Sequence, residues 1–102
     1  MLMTKRKPAT VGEILKEEFM RPMGLTQAVL AEAMGVQRKH VNELCNDRRN
    51  VTAATALILE RVFGNSPVFW LNVQRRSDLW ETMNNPRERK RIERARPLGA
   101  AA

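Results

Sequence analysis

The chain is poor in residues that carry covalent or metal-based chemistry. It contains one cysteine, Cys45, one histidine, His40, and no tyrosine. A single cysteine excludes an internal disulfide and is typical of a reducing cytoplasm, and one histidine with one cysteine is too few for a zinc site. No carboxylate pair, nucleophile–base set or phosphate-binding loop is visible. We therefore expect no metal, no cofactor and no enzymatic activity, and we expect Cys45 to be a small, partly buried hydrophobic residue.

Long apolar runs are absent as well. No stretch approaches the roughly 18 apolar residues that span a bilayer, and the N-terminus lacks the apolar core of a signal peptide, which predicts a cytoplasmic protein without membrane contact. Positive charge is abundant: 18 Lys and Arg against 11 Asp and Glu give a net charge of +7 and a pI of about 10.8. This balance favours nucleic acid or an acidic protein as the partner.

Apolar spacing and capping residues predict an all-α fold of five helices. Thr10 and Glu13 have the spacing of a capping box, in which each side chain satisfies a backbone amide of the first turn. Thr26 and Thr52 are N-cap candidates for later helices, and Ser66 precedes a proline, which a first turn tolerates. The helices are predicted at about residues 11–23, 26–34, 37–45, 53–63 and 67–83.

Residues 25–45, LTQAVLAEAMGVQRKHVNELC, predict two short helices joined by a tight turn. The first has an apolar face, expected to be buried, of Leu25, Val29, Leu30 and Ala33. Gly35 supplies the positive φ that ends a helix without a Cβ clash. In the second helix Val41 and Leu44 point inward. The polar residues left facing outward are Arg38, Lys39, His40, Asn42 and Glu43.

This outward face has the chemistry of a surface that reads DNA. An α-helix fits the major groove of B-DNA, and Arg, Lys and Asn hydrogen-bond guanine and adenine edges there. The spacing is that of a helix-turn-helix, because Ala31 is small enough for two helices to cross closely while Val41 and Leu44 lock the second helix onto the first. The alternative is a helical hairpin whose polar face is merely solvated.

The fifth helix carries more apolar surface than one core requires. We expect Trp70 in the core, yet further apolar residues recur beyond it at helical spacing. Either the helix is simply well buried, or it forms a symmetric dimer, which exposed apolar patches usually mark. We favour the dimer. Its predicted interface consists of Val73, Leu79, Trp80 and Met83.

The two ends of the chain differ from the body. Residues 1–9 carry Lys5, Arg6 and Lys7 without a periodic apolar pattern and predict a flexible basic arm before a domain at 10–84. Residues 85–102 hold six Lys or Arg and two Glu, and so contribute four of the seven net positive charges. This segment predicts a flexible, solvated tail, with a helical extension of the preceding helix as the alternative. The argument for DNA therefore rests on where charges lie in the helix-turn-helix, since the bulk pI alone does not carry it.

Two sets of residues carry a family resemblance. The spacing of Gln27, Ala31, Gly35, Val41 and Leu44 resembles the phage-repressor (Cro/C1, or XRE) helix-turn-helix class. The string GNSPVFWLNVQ at 64–74, DLW at 78–80 and the opening RKPATVGEILKEEFMRPMGLT at 6–26 resemble a narrower group, the HigA antitoxins. In that group a Ser-Pro or Thr-Pro pair precedes a Trp-Leu-Asn-x-Gln segment. The match covers about residues 6–82 and implies a lambda-repressor-like DNA-binding domain whose extended last helix dimerises.

The resemblance also implies a function. Such a protein is a dimeric antitoxin that neutralises an mRNA-cleaving, HigB-type toxin and represses its own operon by binding double-stranded operator DNA, expected to be an inverted repeat. Gln27 would hold a phosphate. The residues implied over base edges are Arg38, Lys39, Asn42 and Glu43. Those implied along the backbone at the end of the helix are Asn46, Arg48 and Arg49.

The roles of two further residues in the predicted DNA-binding set are less well defined. His40 lies either against the sugar-phosphate wall or on the solvated flank of the helix. Gln37 stands where Ser or Thr is usual, and because Gln is a poor N-cap the first turn of the second helix is expected to be less firmly set.

Two other functions remain open from the sequence. The chain could be an interaction module without useful DNA affinity, or a phage-type transcriptional repressor without a toxin partner. The toxin-binding surface is equally open, with candidates in residues 1–9, in the outer face of the first helix with Glu17 and Glu18, and in the tail after Pro86.

Overall fold

The computed structural model describes residues 6–99, and this part of the chain has six helices and no strand. α1 has three consecutive segments: α-helical Val11–Ile14, π-helical Leu15–Met20 and α-helical Arg21–Met23. The other helices are α2 (Gln27–Met34), α3 (Arg38–Cys45), α4 (Ala53–Phe63), α5 (Pro67–Met83) and α6 (Pro86–Glu93). The predicted all-α class is confirmed, and the five predicted helices correspond to α1 to α5.

The predicted N-caps are confirmed as well. Thr10 accepts the backbone amide of Glu13 at 3.1 Å while the Glu13 carboxylate accepts the Thr10 amide at 3.2 Å, which completes the capping box. Thr26, Thr52 and Ser66 accept first-turn amides at 3.1–3.2 Å. These bonds satisfy amides that have no partner within the helix, so each helix starts just after its capping residue.

The core is centred on Trp70 of α5. Its side chain has no exposed surface, and its Nε1 donates to Asn65 Oδ1 at 3.0 Å. The ring centroids of Phe19, Phe63 and Phe69 lie 5.0–6.3 Å from the indole. The large aliphatic side chains with no exposed surface are Leu15, Leu30, Val41, Leu44 and Leu59. These residues come from all of the first five helices, so the body of the protein has one core.

The buried face of α2 differs from the predicted one. Leu30 is buried, but Val29 is 51% exposed and Ala33 is exposed too. The positions that α2 buries are Leu30, Ala31 and Met34. The prediction was wrong for Val29 and Ala33 because α2 packs against α3 and α4 with Leu30, Ala31 and Met34 on its buried side, which leaves position 29 toward solvent.

α5 is divided between the core and the surface. Val73 is only 5% exposed and packs in the core of a single chain. We therefore remove Val73 from the predicted dimer interface, because it has almost no surface left to offer a second copy. Leu79, Trp80 and Met83 are half-buried and keep part of their surface.

The N-terminal segment lies against α5. The Lys7 ammonium is 3.4 Å from the Glu81 carboxylate and 5.8 Å from the centre of the Trp80 ring. Ser77 donates to the carbonyl oxygen of Ala9 at 3.5 Å. The described part of the expected flexible arm, residues 6–9, therefore rests on the last helix of the body. Residues 1–5 lie outside the described residues.

The C-terminal segment contains a helix of its own. The Asn85 side chain accepts hydrogen bonds from the amides of Arg87 and Glu88 at 3.0 and 3.2 Å, and these bonds start α6 after the helical conformation of α5 has ended. α6 packs mainly against α5 and buries no residue. The segment expected as a flexible tail or an extension of α5 is thus a separate, capped helix in an elongated molecule of 55 × 23 × 22 Å. Residues 100–102 lie outside the described residues.

Candidate nucleic-acid interface

The turn between α2 and α3 sets the direction of α3. Gly35 has φ 71° and ψ 32°, a left-handed conformation in which an L side chain is strained. The amide of Val36 returns to the carbonyl of Ala31 at 3.0 Å and closes the end of α2. Gln37 then serves as the N-cap of α3 without a side-chain hydrogen bond, as its sequence predicts. The amides of the first turn of α3 therefore have no side-chain cap.

The back of α3 is buried. Val41, Leu44 and Cys45 face the core, and the Cys45 sulfur lies 3.7 Å from the sulfur of Met20. Burial raises the pKa of the Cys45 thiol, so this residue stays protonated and acts as the small hydrophobic residue that the sequence predicts. Because the back is packed, the front of α3 has a fixed orientation on the body.

The front of α3 presents three exposed polar side chains, Arg38, Lys39 and Asn42. No ion pair joins Arg38 or Lys39 to another described residue. Asn42 Nδ2 donates to Gln27 Oε1 at 3.2 Å, which ties the start of α2 to the middle of α3 at the surface. Asn42 keeps its Oδ1 and a second N–H for another partner. The helical pattern predicted the exposure of Asn42 but not this bond.

Glu43 and Arg49 pair with each other beside this front. Arg49 donates to Glu43 Oε1 through Nε at 2.9 Å and through a terminal nitrogen at 2.8 Å. The hydrogen bond from Arg49 lowers the pKa of Glu43. A carboxylate and a guanidinium predicted to contact bases and backbone separately are therefore joined in the free protein.

His40 is half-buried next to this pair. Its Nε2 is buried and has no hydrogen-bond partner among the described residues. Burial, and then the charge of Arg49, lower the pKa of His40 below its usual 6.5, while the charge of Glu43 opposes them. His40 is therefore neutral at neutral pH and lies on the flank of α3.

The residues after α3 form the edge of the same surface. Asn46 Nδ2 donates to the carbonyl oxygen of Asn42 at 2.9 Å and closes the end of the helix. Arg48 is exposed, and its side chain makes no ion pair in the described part of the chain. The predicted DNA-binding residues that the structure leaves exposed are Gln37, Arg38, Lys39, Asn42, Asn46, Arg48 and Arg49. Those that it half-buries are Gln27, His40 and Glu43.

Asp47 anchors this edge to α1, which the sequence reading missed. Its backbone has φ 56°, and its carboxylate accepts the hydroxyl of Thr10 at 2.8 Å and the amide of Gly12 at 2.9 Å. The side chain thus joins the loop after α3 to the first turn of α1. Asp is one of the few residues that tolerate a left-handed backbone, so its place in the loop NDRRN was the available signal.

Gly12 allows α1 and α3 to approach closely. A Cβ at this position would collide with the backbone carbonyl of Cys45 and lie 2.9 Å from Asp47 Oδ1. The requirement for glycine is therefore steric and comes from the end of α3. No local pattern in the sequence announces it, because the two residues are 33 positions apart.

Two further features of the described residues concern metal ions and membranes. Among them, no cluster of three or more His, Cys, Asp or Glu side chains is suited to a metal ion. None of their helices is both long and apolar enough to cross a bilayer.

α2 and α3, joined by the Gly35 turn with a buried back and an exposed polar front on α3, have the arrangement of a helix-turn-helix DNA-binding protein. The family model described as Helix-turn-helix matches residues 15–70, more than half of the chain. This range includes α2, the Gly35 turn, α3 and Asp47.

Similar proteins narrow the class. Antitoxin HigA-1 of Vibrio cholerae serotype O1 is 51% identical over 88 residues, which cover 86% of this chain and 83% of that protein. The structure of antitoxin GraA in complex with its operator has a TM-score of 0.83 at 37% identity and covers 98% of this chain and 100% of that one. Pseudomonas aeruginosa antitoxin HigA with the higBA promoter has a TM-score of 0.80 at 33% identity, covering 89% and 98%. The chain belongs to the HigA antitoxins within the phage-repressor (XRE) class of the helix-turn-helix family.

Proposed function

We propose that this chain is a dimeric antitoxin that binds an inverted-repeat operator through α3, represses its own operon and neutralises a HigB-type, mRNA-cleaving toxin. The observation that carries the DNA-binding part is the contrast between the two sides of α3: its back is buried, while Arg38, Lys39 and Asn42 are exposed in front. The similar antitoxins with operator and promoter DNA support the same conclusion.

Each exposed side chain has a role in this proposal. Arg38 and Lys39 donate to guanine edges, and Asn42 makes a bidentate contact with adenine through the amide atoms that Gln27 leaves free. Arg48 and Asn46 follow the phosphate backbone, which positions the protein without selecting a sequence. Arg49 can contact a phosphate only after it gives up its ion pair with Glu43.

The operator experiment is a selection from a pool of randomised duplexes. The expected product is an inverted repeat whose half-sites are about one turn of B-DNA, 34 Å, apart, because two copies of α3 enter successive major grooves on one side. A pool that shows no enrichment, or only single half-sites, would contradict the proposal.

Dimerisation rests on the half-buried apolar side chains Leu79, Trp80 and Met83 on α5. Leu79→Glu is expected to give a folded monomer in sedimentation equilibrium and to lose cooperative operator binding. Val68→Glu is the matched control, since Val68 lies at the other end of α5 and is 56% exposed. A Leu79→Glu protein that stays dimeric would reject this interface.

The toxin part of the proposal needs a separate experiment. The toxin expected from a reading frame beside the gene is tested for capture by the full chain and for inhibition of its mRNA cleavage in a translation reaction. Chains without residues 1–9 or 86–102 then locate the binding surface. Operator binding without capture of any such toxin would identify a repressor without a toxin partner. We further propose that the chain has no enzymatic activity of its own and acts in the cytoplasm.

A further inference from the structure

One face of α6 is a continuous cationic stripe that the proposed function leaves unused. A shallow groove on this helix is lined by Pro86, Arg87, Lys90, Arg91 and Arg94. The four cations follow the i, i+3, i+4, i+7 spacing of a single helix face and span about 10 Å along its axis. We call these four residues the α6 stripe.

Most of the stripe carries free charge. Arg91 is held by Glu88 at 3.0 Å, but Arg87, Lys90 and Arg94 make no ion pair within residues 6–99. The other ion pair of α6 joins Arg89 to Glu93 and lies outside the stripe. Several exposed cations on one face repel one another, and a polyanion relieves that repulsion.

The start of α6 is a short stretch of chain away from a cleft that borders the candidate DNA-binding surface. Glu81 near the end of α5 lines the same cleft as Arg49 and Asn50, which follow α3. Pro86 is five residues beyond Glu81, so the start of α6 lies within about 17 Å of that cleft even for a fully extended chain. The start of the stripe therefore lies within reach of a cleft that the residues after α3 also line.

We propose that the α6 stripe binds the phosphate backbone of duplex DNA just outside the half-site read by α3. This inference rests on the proposed function for the placement of α3 on the operator. Phosphates carry one negative charge per about 1.7 Å of duplex axis, so a row of free cations about 10 Å long meets several of them. The contact adds affinity and salt dependence without selecting a sequence.

The composition of α6 favours a polyanion over a protein surface. Ile92 is the only large apolar side chain of the helix, and α6 buries no residue. A protein–protein interface of ordinary strength needs an apolar centre, which α6 does not provide. An acidic protein surface is therefore the alternative that the experiment must reject.

The experiment compares two variants of the full chain that lose the same charge. The stripe variant carries Arg87→Gln, Lys90→Gln and Arg94→Gln, and glutamine preserves helix propensity. The control variant carries Lys16→Gln, Arg21→Gln and Arg61→Gln, which removes three exposed cations from α1 and α4. Each is titrated against a duplex limited to the selected inverted repeat and against one extended by about one helical turn, ten base pairs, on each side.

The expected result is specific to the longer duplex. There the stripe variant lowers the slope of log Kd against log salt by about 5 relative to the unchanged dimer, because each of the two protomers loses three phosphate contacts worth about 0.9 each. Hydroxyl-radical footprinting should also lose the protection that extends past the half-sites. On the short duplex the stripe variant should match the control variant.

Failure of this inference is distinguishable from failure of the proposed function. If the salt slopes and footprints do not change, or if both duplexes lose affinity equally, the α6 contact with DNA is overturned while selective operator binding stands. If the slopes do not change but the stripe variant no longer binds an acidic protein that the unchanged chain binds, the stripe is assigned to a protein partner instead. If no operator is selected, the same variants are titrated against a mixed-sequence duplex of the longer length. A lower slope for the stripe variant alone then supports the phosphate contact without α3 selectivity.

Discussion

α3 and α6 both present cations to solvent, but α3 buries one side in the core whereas α6 packs against α5 without burying a residue. α3 buries three side chains against the core and is tied to α2 by the bond from Asn42 to Gln27. α6 buries none, and the two ion pairs that it makes within residues 6–99 both join its own side chains. The same residue types therefore occur on one rigid and one largely solvated helix.

The difference separates two ways of binding DNA. Hydrogen bonds to base edges need donors whose direction is fixed within narrow limits, and a buried back supplies that for α3. Phosphates are present at every sequence, so cations on a solvated helix bind them without such precision. In our proposals, α3 accounts for the selection of a DNA sequence and α6 adds affinity for DNA of any sequence.

Truncating one apolar side chain on each of the two helices gives the largest expected difference in stability. Leu44→Ala removes a side chain with no exposed surface and should lower the free energy of unfolding by about 2–5 kcal/mol. Ile92→Ala on α6, where the side chain is 45% exposed, should change it by no more than about 0.5 kcal/mol. Urea denaturation followed by circular dichroism measures both, and comparable losses would break the contrast.

Removing the Asp47 anchor is expected to have the next largest effect. Asp47→Ala removes the acceptor of two hydrogen bonds and puts a methyl side chain at φ 56°, for a cost of about 2–3 kcal/mol in unfolding free energy. Asp47→Gly loses the same bonds but suits the left-handed backbone, so it should cost about 1 kcal/mol less. Equal stability of the two variants would mean that the backbone conformation contributes nothing.

Two arginines at the DNA surface should separate selectivity from affinity. Arg38→Ala is expected to lose about 1–3 kcal/mol of discrimination between the selected operator and a scrambled duplex. Arg48→Ala should weaken binding to both duplexes alike and lower the salt slope of the dimer by about 1.8, or about 0.9 for each protomer. Gel shifts at several salt concentrations test the pair, and the same loss on both DNAs for both variants would show that α3 does not read bases.

The smallest expected effect is the pH dependence at His40. Its pKa is lowered in the folded protein, so the unfolded chain takes up a proton first as the pH falls through 6.5. His40 therefore does not affect the free energy of unfolding above that pH and lowers it below that pH. His40→Gln removes this dependence on pH. The free energy of unfolding of the two proteins is measured between about pH 7.5 and 5.5. The same dependence on pH in both would contradict the burial of His40.

Most of the fold was predictable because its signals are local. Capping side chains such as Thr10 and Ser66 act on amides two or three residues away, and the predicted starts of α1 to α5 lie within one residue of the observed ones. The buried stripe of α2 was predicted less well, since Val29 is apolar yet exposed. Which apolar residues of a helix are buried depends on the neighbour it packs against.

The site divides in the same way. The exposure of Arg38, Lys39 and Asn42 follows from helical spacing around Val41 and Leu44 and agrees with the structure. The pairing of Glu43 with Arg49 and the Asp47 anchor join residues from different segments. Helical periodicity carries no information on such partners.

The order of residues by itself determined the helix starts, the left-handed turn at Gly35 and the charge on the outer side of α3, because each depends on neighbours within about one or two turns of chain. The packed tertiary structure alone decided that Val73 belongs to the core, that Gly12 must lack a side chain beneath Cys45, and that Asp47 joins the loop after α3 to the first turn of α1. Those outcomes require distant segments to meet, and what each side chain then contacts depends on how the segments pack.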